Sequence, residues 1–100
     1  MVIAEVSVVP LGTETPSVGD YVAAAIKAVK KQKKVKYQIT AMGTILEGEL
    51  NDVLDVVTKM HESTFSAGAK RVVTRLTIDD RRDKNLTIDG KVKSVLEKLG

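Results

Sequence analysis

Few residues of this chain have the chemistry that enzymes use at their reacting centres. There is no cysteine and a single histidine, His61, so thiolate nucleophiles and zinc sites rich in cysteine or histidine are excluded. His61 falls on or beside the apolar side of a predicted helix, which favours a hydrogen-bonded, half-buried histidine over a general base. No nucleophile stands beside a base, and no acids are paired at a spacing that catalysis requires. The sequence predicts no catalytic residue, no metal site and no enzyme activity.

Polar residues on the predicted strands are better candidates, and the chemistry they suggest is ligand binding. Glu5, Ser7 and Arg75 fall at alternating positions that point to one side of a predicted sheet. Either Thr44 or Glu47 joins them, depending on a strand register that the sequence leaves open. A salt bridge between Glu5 and Arg75 of two subunits is the structural alternative to a ligand site.

The elements that must position these residues follow from the spacing of apolar side chains. Period-two alternation predicts strands, and spacing of three and four residues predicts helices. A helix is expected after Ser17, a candidate N-cap; a second helix should end at Gly68, and a third has Thr87 as a candidate cap. The strands are expected over Val2–Val9, Val35–Met42, Thr44–Glu47 and Arg71–Ile78, and the apolar sides of the second and third helices over Leu50–Thr64 and Ile88–Leu99.

This order of elements predicts an α+β fold of the ferredoxin-like βαββαβ type. Right-handed crossovers place the strands of the antiparallel sheet in the order 4-1-3-2, with two helices on one face and an extra C-terminal helix. The length of 100 residues favours one domain spanning residues 1–100. The other sheet face is expected to be bare of helices and to be covered by a second copy, because it has apolar residues at Ile3, Val9, Met42 and Val73.

The charge of the chain is local and does not indicate a nucleic-acid partner. The net charge is +3, and six lysines without an acid lie between Lys27 and Lys36, where the first helix is expected to end. Only three aromatic residues are present, too few for base stacking. The alternating charges of residues 79–84 are typical of a solvated loop. No apolar run approaches the roughly 20 residues of a membrane span, and the start of the chain lacks a basic leader, so a cytoplasmic protein is expected.

Three separated blocks of the sequence resemble the small thiamine-binding protein family, the YkoF-like group. The blocks span nearly the whole chain: Ala4–Gly12, Ala41–Thr44 with Glu47–Gly48, and Arg71–Val73 with Ile78–Asp83. The resemblance implies a ferredoxin-like subunit, dimers that pair into a homotetramer, and binding of thiamine or its hydroxymethylpyrimidine part. It implies no cofactor and no established catalysis.

For a thiamine-like ligand, the acids are the natural partners of the cationic ring. Glu5 or Glu47 can oppose the thiazolium charge and accept from the pyrimidine amine, and Ser7 and Thr44 can orient the ligand. Met42 and Val73 offer apolar walls. We therefore expect a carrier or sensor that binds its ligand at or near subunit interfaces.

Arg75 is the exception, because it repels a cationic ligand unless Glu5 holds the guanidinium or the ligand carries phosphate. The alternative function is a structural or regulatory homo-oligomer. Such a protein would bind a protein partner through the lysine patch and no small molecule.

Overall fold

The computed structural model describes residues 1–14 and 18–100, and the predicted element order is confirmed. In chain order the elements are β1 (Val2–Pro10), α1 (Gly19–Lys30), β2 (Lys36–Ile39), β3 (Thr44–Gly48), α2 (Leu50–Ser66), β4 (Val72–Asp79) and α3 (Ile88–Leu99). The protein therefore has the predicted ferredoxin-like α+β fold with an added C-terminal helix.

The four strands form one antiparallel sheet in the order β2-β3-β1-β4, which is the predicted order read from the opposite edge. β1 lies in the centre and pairs with β3 on one side and β4 on the other. β2 pairs only with β3. The connection through α1 places β2 one strand position away from β1, and β3 fills the position between these two strands.

One face of the sheet packs against α1 and α2 and forms the core. Alternate residues of β1 form the sheet side of this core: Val2, Ala4 and Val6 are at most 2% exposed. In α2 the buried side follows Val53, Val56, Val57, Met60 and Thr64. The apolar spacing of the sequence also placed Leu54 on this side, which was wrong: Leu54 is 40% exposed, and Val56 is buried instead.

The connection between β2 and β3 is a tight turn over residues 40–43, so β2 is shorter than the predicted strand that ran to Met42. The Thr40 hydroxyl donates to the Gly43 carbonyl at 2.8 Å and accepts from the Gly43 N–H at 3.2 Å. A Cβ at Gly43 would lie 2.9 Å from the Val6 carbonyl oxygen, so only glycine allows this approach. Met42 therefore lies at the turn and is 83% exposed.

Two of the predicted helix ends are confirmed. Gly68 follows α2 with a φ of +112°, and Thr87 caps α3 by accepting from the Gly90 N–H at 2.9 Å. Ser17, the predicted cap of α1, lies outside the described residues. Val18 precedes α1 and makes no side-chain cap bond.

The second face of the sheet, which we call the open face, is not wholly bare. The chain before α3 lies over one end of it, where Glu47 and Leu86 are only 4% and 8% exposed. The rest of α3 has no buried residue. Its apolar side, which we call the α3 stripe, comprises Val92, Val95, Leu96 and Leu99, each 54–76% exposed.

Candidate functional site

The structure divides the seven predicted site residues into three groups. Because side chains alternate along a strand and paired residues share a face, the strand register decides the group of each strand residue. The open face holds Glu5, Ser7, Val73 and Arg75; the start of α3 covers Glu47; and Met42 and Thr44 line a cavity on the side of the helices.

Glu5 lies near the middle of the open face. Its neighbours across the sheet are Ile45 on β3 and Thr77 on β4, and Gln38 follows beyond Ile45. Glu5 is exposed and forms no ion pair with any residue that the structure describes. Its carboxylate is thus available to a ligand or to a second copy.

Arg75 lies opposite Ser7, diagonal to Glu5. Diagonal neighbours in an antiparallel pair are about 7–8 Å apart at their backbones, within reach of long side chains. No ion pair between Arg75 and Glu5 is formed within residues 1–14 and 18–100. Both charges therefore stay separate on the open face, with Val73 and the exposed Val9 forming an apolar pair beside Arg75.

Thr77 and Ile45 complete this group and were not singled out as site residues from the sequence. The sequence does indicate that Thr77 shares a face with Arg75, because the two residues are two positions apart along β4. Its relation to Glu5 depends on the pairing of β4 with β1, which spacing within one strand does not reveal.

Glu47 does face the open side, where it lies between Lys36 and Ile3 across the sheet. Its carboxylate oxygen Oε1 accepts a hydrogen bond of 2.9 Å from the backbone N–H of Ile88, the first residue of α3. A carboxylate at a helix N-terminus is stabilised by the unpaired N–H groups and the helix dipole. Glu47 is therefore committed to holding α3, a role that the sequence did not indicate.

A second contact holds α3 at the same end of the sheet. The Lys91 ammonium lies 2.7 Å from the carboxylate of Asp79, the last residue of β4. Both side chains are about half exposed, so the pair contributes less than about 1 kcal/mol. Together with Glu47 it orients the first turn of α3 over the open face.

Thr44 belongs to the opposite face, because it pairs with Val6 of β1 and Ile39 of β2. It is 5% exposed and lines a cavity of about 190 Å³ between α1, β1 and the 40–43 turn. Met42 lies at the turn and borders the same cavity. The register thus resolves the open choice between Thr44 and Glu47 in favour of Glu47 for the open face.

His61 has the structural role that the sequence favoured. Its Nδ1 lies 2.7 Å from the hydroxyl of Thr74, and its ring makes an edge contact with Phe65 at 5.2 Å between centroids. The histidine is half-buried between α2 and β4, with its partner supplied by the sheet.

The charged loop of residues 79–85 is exposed throughout, as predicted. Arg82 donates to Asp80 at 2.9 Å and Arg81 donates to Asp83 at 2.8 Å. These hydrogen bonds hold the pKa of both carboxyl groups below the ordinary value of 3.8. The two arginines are thus already paired and are poor candidates for binding an anion.

The described residues include neither a cluster of metal-ligating side chains nor a membrane-spanning helix. No group of three or more acidic or histidine side chains lies where it could hold a metal ion within residues 1–14 and 18–100. None of the described helices combines the length and apolar character that crossing a membrane requires.

Comparison with known proteins identifies the chain's relatives. A family model described as "Thiamine-binding protein" matches residues 4–96. UPF0045 protein YqgV of Bacillus subtilis is 47% identical over 102 residues, covering 99% of this chain and 98% of the relative.

Solved structures agree with this match. The crystal structure of the hypothetical protein MJ1052 of Methanocaldococcus jannaschii superimposes with a TM-score of 0.88 at 43% identity, covering 96% of each chain. A Thermotoga maritima protein assigned provisionally to thiamine biosynthesis or salvage has a TM-score of 0.78 at 28% identity, covering 94% of this chain and 97% of its own. Sequence and fold together show that this chain belongs to the thiamine-binding protein family.

Proposed function

We propose that this protein binds a thiamine-type small molecule on its open face, at an interface that a second copy completes, and that it serves as a carrier or sensor without catalysis. Membership of the thiamine-binding family supports the ligand class. The site rests on one observation. Glu5 is a carboxylate without an ion-pair partner among the described residues, and its direct neighbours across the sheet, Ile45 and Thr77, are uncharged.

The surroundings of Glu5 suit a ligand with a positive ring and a hydrogen-bonding edge. A carboxylate attracts a permanent cation and accepts hydrogen bonds from an amine. Gln38 and Thr77, in the same row across the sheet, supply further donors and acceptors. Ile45, between Gln38 and Glu5, provides an apolar surface for a flat ring.

Arg75 makes the phosphorylated form of such a ligand the better match. Arg75 forms no ion pair in the described chain and lies on the diagonal from Glu5, so the face presents one negative and one positive group on neighbouring strands. A ligand with a cationic ring and a phosphate group satisfies both, because guanidinium binds phosphate through paired hydrogen bonds.

The second copy follows from apolar surface that a lone chain leaves in water. Val9 and Val73 are 44% and 38% exposed on the open face, and the α3 stripe is more exposed still. Burying a valine or leucine side chain yields about 1.5–3 kcal/mol, so covering these residues favours association. Val9 and Val73 lie on the side of the sheet away from α1 and α2, and α3 begins on that side, which suits a homodimer that can pair again into a tetramer.

The alternative function is a regulatory homo-oligomer that binds an acidic protein partner. Six exposed lysines lie between Lys27 and Lys36, and none forms an ion pair within the part of the chain that the structure describes. An unpaired basic surface of this kind attracts acidic partners, with an affinity that falls as salt rises.

Isothermal titration calorimetry with thiamine and with thiamine phosphate tests the proposed function. Wild-type protein should bind both, and Glu5→Gln should weaken both by about ten-fold or more, since a hydrogen bond to a charged group contributes about 1.5–3 kcal/mol. Arg75→Gln should weaken only the phosphate ester.

Glu62→Gln is the matched control, because Glu62 is an exposed acid on α2, away from the open face. It should leave both affinities unchanged. If neither ligand gives heat or raises the melting temperature of the wild type, the ligand assignment is wrong and the regulatory alternative stands.

A further inference from the structure

The outer edge of β2 carries backbone hydrogen-bonding groups that the described chain leaves unused. β2 lies at one side of the sheet and pairs only with β3. All four of its residues are exposed, with Tyr37 at 37% and Ile39 at 60%. An unpaired strand edge is a template for a further strand. The direction of each backbone group on β2 decides where such a strand can bind.

The turn after β2 shows which of its groups face outward. The Thr40 N–H donates to the Gly43 carbonyl at 2.9 Å, so these two residues are bonded across the hairpin. In an antiparallel ladder, hydrogen-bonded pairs alternate with pairs that are not bonded to each other. Counting back from Thr40, Ile39 and Tyr37 fall at the non-bonded positions, and their N–H and C=O groups point away from β3. We call these outward groups the β2 edge.

The side chain of Gln32 already uses the neighbouring position as a strand would. Val35 precedes β2 and, two residues before Tyr37, belongs to the same outward set. Its N–H donates to Oε1 of Gln32 at 2.7 Å, and its C=O accepts from Nε2 of Gln32 at 2.8 Å. An opposed residue of a paired strand makes the same two bonds. Gln32 thus fills the first position, while Tyr37 and Ile39 have no outward partner within residues 1–14 and 18–100.

The side chains beside these two positions are apolar. Tyr37 and Ile39 pair with Leu46 and Thr44, so they share the helix side of the sheet. Gln38, between them, lies on the open face. A strand with apolar residues at alternate positions would cover the exposed Tyr37 and Ile39, and burial of apolar surface favours its binding.

Lysines surround the end of the β2 edge at which Gln32 lies. Lys33 and Lys34 follow Gln32, and Lys36 is the first residue of β2. All three are exposed, and they form no ion pair with any part of the chain that the structure describes. Glu47, opposite Lys36 in the register, is bonded to the start of α3. This end of the edge therefore attracts negative charge.

The same lysines favour a foreign acidic segment over a second copy. In antiparallel pairing of two β2 strands, the lysine end of each would lie beside the 40–43 turn of the other. Neither β2 nor that turn contains an acidic residue, so a second copy leaves the lysines without opposite charge. Lysines on an edge strand commonly prevent such self-pairing. An acidic segment gains from them instead.

We propose that the β2 edge binds an extended, acidic segment of another protein, which adds a fifth strand to the sheet. The segment runs antiparallel to β2, as every neighbouring pair in this sheet does. Two of its alternate residues are apolar and pair with Ile39 and Tyr37. The residues that follow are acidic and lie beside Lys36 and Lys34. This interaction does not require the open face to bind a thiamine-type ligand.

A suitable probe is an acetylated, amidated peptide of valine, threonine, valine and three glutamates, in that order. Its valines should lie beside Ile39 and Tyr37 and its glutamates beside the lysines. Titrated to about 1 mM into the isotopically labelled full chain, it should shift the amide signals of Tyr37 and Ile39 and slow their exchange with solvent. The amides of β4, at the other edge of the sheet, should not change.

Two N-methylated peptides test backbone pairing at constant charge. In an added strand, the valines direct their N–H groups toward β2, and the threonine between them directs its N–H away. Methylation of both valine nitrogens should weaken binding by about 3- to 10-fold or more, the ratio expected for a lost hydrogen bond. Methylation of the threonine nitrogen should leave the affinity of the parent peptide.

Variants of the protein test the same contacts from the other side. Ile39→Pro removes an outward N–H, and a free sheet edge tolerates proline, so binding should weaken by about 3- to 10-fold while Ile39→Val binds normally. Lys34→Gln combined with Lys36→Gln should weaken binding by about 2- to 10-fold. Lys70→Gln is the control, because Lys70 is exposed near β4 at the opposite edge. If Ile39→Pro does not fold, the methylated peptides still decide.

Three results would overturn the proposal. The first is that the Tyr37 and Ile39 amides of the folded wild type do not respond to the peptide. The second is equal binding of all three peptides, which would mean contact through charge alone, as for a nucleic acid or an anionic membrane. The third is equal weakening by Lys70→Gln. Calorimetry with thiamine on the same sample tests the proposed function separately, because either ligand can bind without the other.

Discussion

The two faces of the sheet differ in what covers them, although alternate residues of the same strands form both. The face toward α1 and α2 is completed within one chain, where Val6 and Leu46 are nearly inaccessible to water. The open face carries Glu5 and Arg75 without ion-pair partners in the described chain, beside exposed Val9 and Val73. One face serves stability, and the other carries the groups to which we assign ligand binding.

Neighbouring residues of β3 show how sharply this division runs. Thr44 and Leu46 lie toward the helices, whereas Ile45 and Glu47 lie toward the open face. A shift of the register by one residue would exchange the two sets, so the same pairing that builds the core also presents the open face.

The largest expected effect comes from comparing Leu46→Ala with Ile45→Ala. Leu46 is 0% exposed in the core, so its truncation should lower the free energy of unfolding by about 2–5 kcal/mol. Ile45 is only partly buried, and its truncation should cost about 1 kcal/mol. Urea unfolding at a low, fixed protein concentration measures both.

Repeating the comparison at high protein concentration sharpens it. If a second copy covers the open face, the cost of Ile45→Ala should rise with concentration while that of Leu46→Ala stays constant. Equal costs for the two variants in the dilute protein would mean that the open face is as well packed as the core within one chain.

A smaller effect is expected for Val95→Asp in the α3 stripe. Val95 is 58% exposed, so the charge should hardly affect folding of one chain. Association of copies should weaken by about 10- to 100-fold, the equivalent of one lost buried valine, as measured by sedimentation velocity.

Ser94→Asp is the control for this change, because Ser94 precedes Val95 but lies on the polar side of α3. It should leave association unchanged. Equal weakening by both variants would point to an effect of charge on the helix and not to contact through the stripe.

Removing the cap of α3 should cost less again. Thr87→Ala loses the hydrogen bond from the Gly90 N–H and should destabilise α3 by about 1 kcal/mol, whereas Thr87→Ser should restore it. Hydrogen exchange should speed up in the α3 amides and remain slow in β1. Faster exchange throughout the chain would show that α3 is integral to the core and not an addition at the open face.

The smallest effect concerns pH and the exposed loop after β4. Arg82 and Arg81 lower the pKa values of Asp80 and Asp83, so the stabilisation from these pairs is present above the unfolded value of 3.8 and is lost as the pH falls below it. NMR titration should give both carboxyl groups midpoints below 3.8. Arg81→Gln should return only Asp83 to the ordinary value, and a matching shift of Asp80 would contradict the separate pairing.

Local patterns predicted the fold well because each strand and helix has a clear apolar period. The alternation of Val2, Ala4 and Val6 placed the buried side of β1 correctly. A hairpin was expected between Met42 and Thr44, but its turn already begins at Thr40, because the Thr40 hydroxyl bonds to the backbone and ends β2 where the alternation continues. Hydrogen bonds of this kind depend on geometry that hydrophobic spacing does not record.

The candidate site was predicted less completely. Glu5, Ser7, Val73 and Arg75 were expected together and do share the open face. Thr44 and Glu47 are separated by the sheet, and Glu47 is taken up by the N–H of Ile88, 41 residues later in the chain. The spacing of apolar residues within one segment does not indicate its contacts with a segment so far away in the chain.

The amino-acid sequence alone determined which side chains of each strand share a side, because alternation is a property of the extended backbone itself. It also determined the order of strands and helices and, through the blocks around Glu5, Gly43 and Asp79, the family. The tertiary structure alone decided that Glu5 faces Thr77, that Glu47 holds α3, and that Thr44 opens into a cavity. The physical reason is that strand register and helix docking are set by contacts between distant segments, which no local pattern specifies.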